Sequence, residues 1–290
     1  MQIPFNIFIS LGVYALVALS VVMVYYPAKF FPVTHAATIT VAPYLTYFYF
    51  QEFYCSLFFS VVGAIITAST IGILGEIFIY NPLRKRGASP MIMMIASLGV
   101  YIVLQNIISI LWGDDTKSII IDEIKVGNEL WGAYITNIQV TTIAISFALF
   151  VGCILFMKYQ RIGRNIRAVA SNPELSNIFG IDSNRTILWA FGIGSALAAV
   201  AGIGVAFDTG MHPTMGFNIL LYGIVVMIIG GVGSMWWLFG GALLLATAQH
   251  LSAYYIGSQW MDAVAYIILI IFLIGRPLGF SGKRLKKIEL

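Results

Sequence analysis

Apolar runs succeed one another along almost the whole chain, at about residues 5–26, 36–50, 57–80, 91–112, 138–157, 186–207, 217–232, 236–251 and 262–275. Few folds can accept such a pattern. A helix that crosses a lipid bilayer takes about 20 apolar residues, so nine such runs would use ~180 of the chain. Of the 290 residues, 60% are apolar and 10% charged. A soluble globule still needs a polar exterior and has no room to hide that much apolar surface. Lipid is therefore part of the solvent. The fold class predicted is an all-α integral membrane protein, a polytopic helix bundle of about eight to nine spans. Too little chain is left over for a large extramembrane catalytic domain, and polar low-complexity tracts that would signal disorder are missing from the sequence.

The cations are unevenly placed. Arg84, Lys85 and Arg86 follow the third run; Lys158, Arg161, Arg164, Arg167 and Arg185 follow the fifth; Arg276, Lys283, Arg284, Lys286 and Lys287 end the chain. Together they hold 13 of the 16 Lys and Arg residues. With alternating runs all three groups fall on one side, which the positive-inside rule makes cytoplasmic. The segment 113–137, carrying Asp114, Asp115, Asp122, Glu123 and Glu129, becomes an external loop, and 158–185 a cytoplasmic one. The N-terminus is then external and the C-terminus cytoplasmic. Residues Met1–Ile9 lack the basic start of a cleavable signal peptide, so the first run is expected to remain as a helix.

Two features bear on packing. Gly194, Ala198, Gly202, Ala206 and Gly210 recur every four residues, a spacing that lets another helix backbone approach closely. Gly230, Gly231 and Gly233, followed by Ser234, interrupt the apolar stretch 217–251, where a broken or re-entrant segment near 230–235 is expected. These three glycines are candidates for a flexible break that helps a gate move.

The connection 163–182 contains a short helix written out in full. Asn172 is a good N-cap, Pro173 suits the first helical position, Glu174 favours the positive end of the dipole and Gly180 is a left-handed stop. Leu175, Ile178 and Phe179 then share one face. Two turns are not stable alone, so this face must rest either on lipid headgroups or in a groove of a partner. Arg164 and Arg167 just before it suit both readings.

The loop resembles the cytoplasmic loop of bacterial ABC importer permeases of the high-affinity branched-chain amino-acid family. The similarity continues through Asn81-Pro82-Leu83-Arg84, Gly87-Ala88-Ser89-Pro90, Ile95-Ala96-Ser97-Leu98-Gly99, Leu104-Gln105-Asn106, Trp112-Gly113, Gly230-Gly231-Val232-Gly233-Ser234, Gly240-Gly241 and Arg276-Pro277-Leu278-Gly279. In that order and spacing these fragments cover most of the chain. Two departures bear on the substrate: Val33-Thr34-His35-Ala36-Ala37 stands where the family commonly has an Asn-Phe-Ala-His-Gly-like segment, and Gln249 replaces an acidic residue.

The resemblance implies one transmembrane permease domain over 1–290 that admits branched-chain or other neutral amino acids across a bacterial inner membrane. It implies as partners a second, related permease subunit in a heterodimer, two ATP-binding subunits, an extracytoplasmic substrate-binding protein and membrane lipid. It also implies that Arg164, Arg167, Asn172, Pro173, Glu174, Leu175, Ile178, Phe179 and Gly180 contact the ATPase. No cofactor is expected on this chain, ATP and Mg residing on the partner ATPase. Amide or urea transport by the same family remains an alternative, as, more remotely, does a secondary transporter or channel.

The sequence itself argues against an enzyme and against nucleic acid. The Gly-Lys pair Gly282-Lys283 has Pro277 where a P-loop needs glycine, His35, His212 and His250 are scattered, and Cys55 and Cys153 form no metal spacing. A basic face on a water-soluble module, which nucleic acid would need, is not visible. Coupling ions normally require ionisable residues at mid-membrane, and these are almost missing. Glu76 stands near a cytoplasmic end, where it is expected to snorkel to water. His35, Gln105 and Asn106 are polar groups in or near apolar runs that could hydrogen-bond a passing zwitterion, the alternative being interhelical hydrogen bonds. The topology predicts that a cysteine at Asp115 labels from outside intact cells, whereas one at Lys286 labels only after permeabilisation; the reverse pattern would invert the orientation.

Overall fold

The computed structural model describes residues 2–119, 128–130 and 133–282. In chain order the helices are α1 (Gln2–Ala28), α2 (Thr34–Tyr47), α3 (Leu57–Gly75), α4 (Asn81–Lys85), α5 (Pro90–Trp112), α6 (Asn137–Tyr159), α7 (Arg161–Ser171), α8 (Pro173–Ile178), α9 (Ser183–Thr209), α10 (Met215–Gly230), α11 (Trp236–Tyr255) and α12 (Met261–Gly275). Each of the nine apolar runs carries one helix. Among the described residues, six helical stretches are long and apolar enough to cross a bilayer: Gln2–Ala28, Leu57–Lys85, Pro90–Trp112, Asn137–Tyr159, Ser183–Thr209 and Ser258–Gly275. The remaining runs form α2, α10 and α11. With 16 residues α10 reaches only about 24 Å at the helical rise, short of a ~30 Å hydrocarbon core, whereas α2 runs on directly into a widened turn, Phe48–Glu52. The break expected near 230–235 is present, since α10 ends at Gly230 and α11 begins at Trp236.

Within the expected external loop, Asn128–Leu130 (β1) and Ala133–Ile135 (β2) pair antiparallel, with Glu129 opposite Tyr134. Asp122, Glu123 and Lys125 of that loop, and Lys283, Arg284, Lys286 and Lys287 of the tail, lie outside the described residues.

Two compact units make up the chain. One comprises Ser20–Ile119 and Leu155–Leu220, the other Met1–Leu19, Ile120–Ile154 and Leu221–Leu290. The core of the first is α2, buried along nearly its whole length. Three of its threonines bond back to their own helix: Thr38 Oγ1 donates to His35 O (2.8 Å) and Thr46 Oγ1 to Ala42 O (2.9 Å), while Thr40 Oγ1 donates to Ala36 O (3.1 Å) and accepts from Gly216 N (3.1 Å). Against α2 runs the small-residue seam of α9. A Cβ on Gly202 would stand 2.1 Å from Ile39 O, and one on Gly194 2.8 Å from Val24 Cγ2. Ala198 and Ala206 are buried in the same row. The seam expected from the four-residue spacing is therefore a real helix contact. On the neighbouring α3, a Cβ on Gly72 would meet Ser195 Oγ at 2.0 Å.

At the end of α3 the helix widens over Glu76–Tyr80 before α4. Glu76 does not snorkel: it is 1% exposed and held in a two-pronged ion pair by Arg84, at 2.8 Å and 3.2 Å. Arg84 sits eight residues on, so the pair closes across the widened turn, and a charge in low dielectric needs such a partner.

In the second unit the contacts are again close. Gly223 sits under Val17, where a Cβ would come to 2.5 Å from Val17 Cγ1, and Gly241 under Val226 O at 2.8 Å. Phe150 and Phe239 meet at 5.9 Å between centroids.

Gly202→Ala should lower the thermal unfolding midpoint in detergent, because overpacking costs about 1–3 kcal/mol and a backbone carbonyl cannot step aside. Gly99→Ala on α5, where a Cβ meets nothing within 4 Å, should leave the midpoint equal or higher. Equal shifts in both would show that α9 and α2 are not in close contact.

Candidate functional site

The expected cytoplasmic segment 158–185 forms two helices, α7 and α8, separated by the extended residue Asn172 (φ −155°, ψ 108°). The sequence reading anticipated only the second. On α7 the buried residues are Gly163, Ile166, Val169 and Ala170, at helical spacing, while Arg161, Arg164 and Arg167 are exposed one turn apart. Low overall hydrophobicity hid this helix; the periodicity of its few apolar residues would have revealed it.

The buried face of α7 is tied to the membrane core. A Cβ at Gly163 would come to 2.5 Å from Met157 Cα, so only glycine lets the start of α7 fold back on the end of α6. Val169 belongs to a buried cluster with Val24, Phe30, Tyr80, Ile187 and Phe191. There the Tyr80 ring stacks on Phe191 (5.3 Å) and meets Phe30 (5.0 Å).

On α8 the predicted cap is in place. Asn172 Oδ1 accepts from Leu175 N (3.0 Å), Pro173 opens the helix, and Gly180 takes the left-handed conformation (φ +81°). The helix ends at Ile178, with Phe179 at its C-cap. Its inner side is fastened to the head of α9. Ser183 N donates to Asn177 Oδ1 (3.0 Å), Ser183 Oγ donates to Pro173 O (3.0 Å), and Ser176 Oγ donates back to Asn172 O (2.7 Å). The outer side is bare: Leu175, Ile178 and Phe179 are 50%, 79% and 76% exposed. Glu174, Arg161 and Arg164 carry no ion pair among the described residues, and Arg167 Nη2 donates to Lys158 O (3.4 Å). An apolar, helical, pre-shaped projection flanked by free charges is what a protein groove would take up.

The three polar residues singled out for a path lie on two helices. His35 is buried on α2, with its ring edge against the Gly194 backbone. Gln105 and Asn106 lie on α5; Gln105 is half-buried, and Asn106 is exposed with its amide donating to Ile102 O (2.7 Å) of its own helix.

The glycine break is closely packed. Gly231 has φ +79°, and a Cβ there would meet Leu278 O at 2.5 Å; at Gly230 it would meet Trp237 O at 2.7 Å. Gly233 lies in the turn that follows. The segment after α12 docks here: Phe280 N donates to Ile229 O (2.8 Å) and Ser281 N to Gly230 O (3.1 Å), satisfying carbonyls that the end of α10 would leave open. Gly279 (φ +60°) permits the approach, a Cβ on it falling 2.5 Å from Ile228 O. The sequence pointed to both glycine segments separately and gave no sign that they meet.

The profile of a protein family described as "Branched-chain amino acid transport system / permease component" matches residues 3–273. The chain is 33% identical over 228 residues to the high-affinity branched-chain amino acid transport system permease protein BraD of Pseudomonas aeruginosa, which covers 76% of this chain and 73% of that protein. It is 32% identical over 227 residues to the corresponding permease protein LivH of Escherichia coli K12, covering 77% and 73% respectively. Among solved structures, PsaBC from Streptococcus pneumoniae in complex with Fab aligns over 98% of this chain and 95% of that one with a TM-score of 0.54 and 12% identity, a likeness of fold alone.

Asn172→Ala removes the side-chain acceptor for the Leu175 amide and should destabilise α8 by about 1 kcal/mol. Hydrogen exchange at Leu175 N should quicken several-fold while α9 keeps its protection; unchanged exchange would mean that the cap carries no weight.

Proposed function

The chain belongs to the branched-chain amino acid transport system permease family, and from that premise we propose that it is the pathway-forming subunit of an ABC importer that admits branched-chain or other neutral amino acids to the cytoplasm. Substrate would arrive on an extracytoplasmic binding protein, a second related permease would complete the pathway, and two ATPase subunits, holding ATP and Mg, would each engage a 158–185 segment. The observation that carries this reading is the exposed face of α8 on a pair of helices fastened to the membrane core.

Burying a Leu, Ile or Phe side chain contributes about 1.5–3 kcal/mol, so the three exposed residues could hold an ATPase groove without an ion pair. Free Glu174, Arg161 and Arg164 would set register and orientation at the rim of that contact. Movement needs a difference: the ATPase must grip α8 better in one nucleotide state than the other, because equal contacts in both shift nothing. The pull would pass through Asn177 and Ser183 into α9 and through Val169 into the cluster around Tyr80. The glycine break enters the proposal in a narrow form. Since Gly230 and Gly231 are packed against 276–281, a motion between α10 and α11 would have to carry that segment with it.

The orientation adopted places α7, α8 and the C-terminus in the cytoplasm. Phe179→Ala should cut ATPase co-purification and lower leucine uptake at least tenfold while the membrane domain stays folded and the binding protein still docks. Proline at Asn177 should do the same by breaking α8. If both variants keep their ATPase and their uptake, α8 lies on the membrane surface and coupling runs elsewhere, with 81–90 the next segment to test. Uptake of amides or urea in place of leucine would move the substrate within the family.

A further inference from the structure

One group of polar side chains has no part in the coupling just described, and it lies wholly within the second unit. Ser10 and Tyr14 stand one turn apart on α1, Tyr222 projects from α10, His250 from α11, and Asp262 and Tyr266 stand one turn apart on α12. They touch one another. Ser10 Oγ and His250 Nε2 are 2.8 Å apart, the Tyr14 and Tyr222 rings are 5.2 Å apart between centroids, and the Tyr222 hydroxyl donates to Asp262 Oδ1. The carboxylate also lies within electrostatic reach of Tyr14 and Tyr266.

Three properties separate this group from ordinary interhelical hydrogen bonding. Asp262 is an exposed acid at the head of a strongly apolar helix and has no cationic partner among the described residues. The Tyr222 hydroxyl takes one carboxylate oxygen and leaves the other open, and the Tyr14 ring packs against that of Tyr222. The head of α12 is held in place from below, since wholly buried Gln249 donates Nε2 to Met261 O (3.3 Å) and its Oε1 finds no partner in the protein. An anion so placed, hydrogen-bonded on one side and open on the other, suits a primary ammonium group, which brings one positive charge and three donors. The packed tyrosine rings add apolar surface for an aliphatic side chain.

We propose that Asp262, with Tyr222 and Tyr14 behind it, is an ammonium-recognition site through which the permease receives the amino group of its substrate. This rests on the importer reading above and on its orientation. With Arg276 at the cytoplasmic end of α12, Asp262 lies at the external end. All six residues then fall within about three helical turns of the ends that face outward. The carboxylate accepts hydrogen bonds from the incoming ammonium group, and the Tyr222 hydroxyl keeps the carboxylate turned toward it.

The test uses isopentylamine, which carries the ammonium group and the branched chain without a carboxylate. In a thermal-shift measurement on the purified transporter, isopentylamine should stabilise the wild type and Asp262→Glu but not Asp262→Asn, and isohexanoate, an acid without the amine, should stabilise none of them. Equal stabilisation of wild type and Asp262→Asn, or none of either, would overturn the assignment. In proteoliposomes supplied with saturating loaded binding protein, Asp262→Asn should lower the maximal rate of leucine uptake at least tenfold. Asp262→Glu should keep at least half of it, with ATPase co-purification and binding-protein docking unchanged. An equal loss in both variants would make Asp262 structural and would also overturn the proposal. Failure of the wild type itself to take up leucine would count against the importer reading, and the thermal-shift result would still decide for or against ammonium binding.

Discussion

The contact on which the first unit depends is the approach of α9 to α2 through side chains too small to keep the backbones apart. In lipid no hydrophobic effect drives helix against helix, so association rests on dispersion, hydrogen bonds and closeness of fit. Gly202 brings the α9 backbone so near Ile39 that a single methyl group would collide with its carbonyl. The consequence is that α2, studded with threonines, is buried almost throughout.

The same helix that makes this contact also carries the projection formed by α7 and α8. Its first residue, Ser183, holds α8 by two hydrogen bonds, and Ile187 and Phe191 in its next turns complete the cluster that receives Val169 of α7. One continuous helix therefore joins a bare apolar surface on one side of the membrane to the small-residue seam within it. A force applied at Leu175, Ile178 and Phe179 has a short, well-packed route into the span and no flexible segment of α9 to absorb it.

Much of this was legible in the sequence where physics acts locally. Apolar runs fixed the nine main helices, the Asn-Pro-Glu start and Gly180 stop fixed α8, and the four-residue spacing of Gly and Ala fixed the face of α9. What escaped notice depends on residues far apart. Glu76 looked free to reach water because its partner Arg84 lies beyond a widened turn whose existence no propensity announces. Gly231 was expected to be a flexible break and Gly279 stood only in a family fragment, although a Cβ on either would collide with the other segment. Asp262 meets the Tyr222 hydroxyl of another helix forty residues away, a pairing that no local pattern announces. Amphipathic α7 was overlooked for a different reason: its four arginine and asparagine positions outweighed an apolar stripe of only three or four residues.

The central claim is that α8 and α9 move as one body when the ATPases close. Spin labels at Glu174 and Thr209, on a chain whose Cys55 and Cys153 have been replaced by serine, would report the distance from α8 to the far end of α9 by pulsed electron resonance. The account predicts one narrow distance distribution, unchanged between the nucleotide-free and ATP-trapped complexes, while the distance from Thr209 to a label on the second permease subunit changes. A Glu174–Thr209 distance that shifts with nucleotide while the distance between subunits stays fixed would contradict it, because α8 would then be moving without carrying the membrane helix.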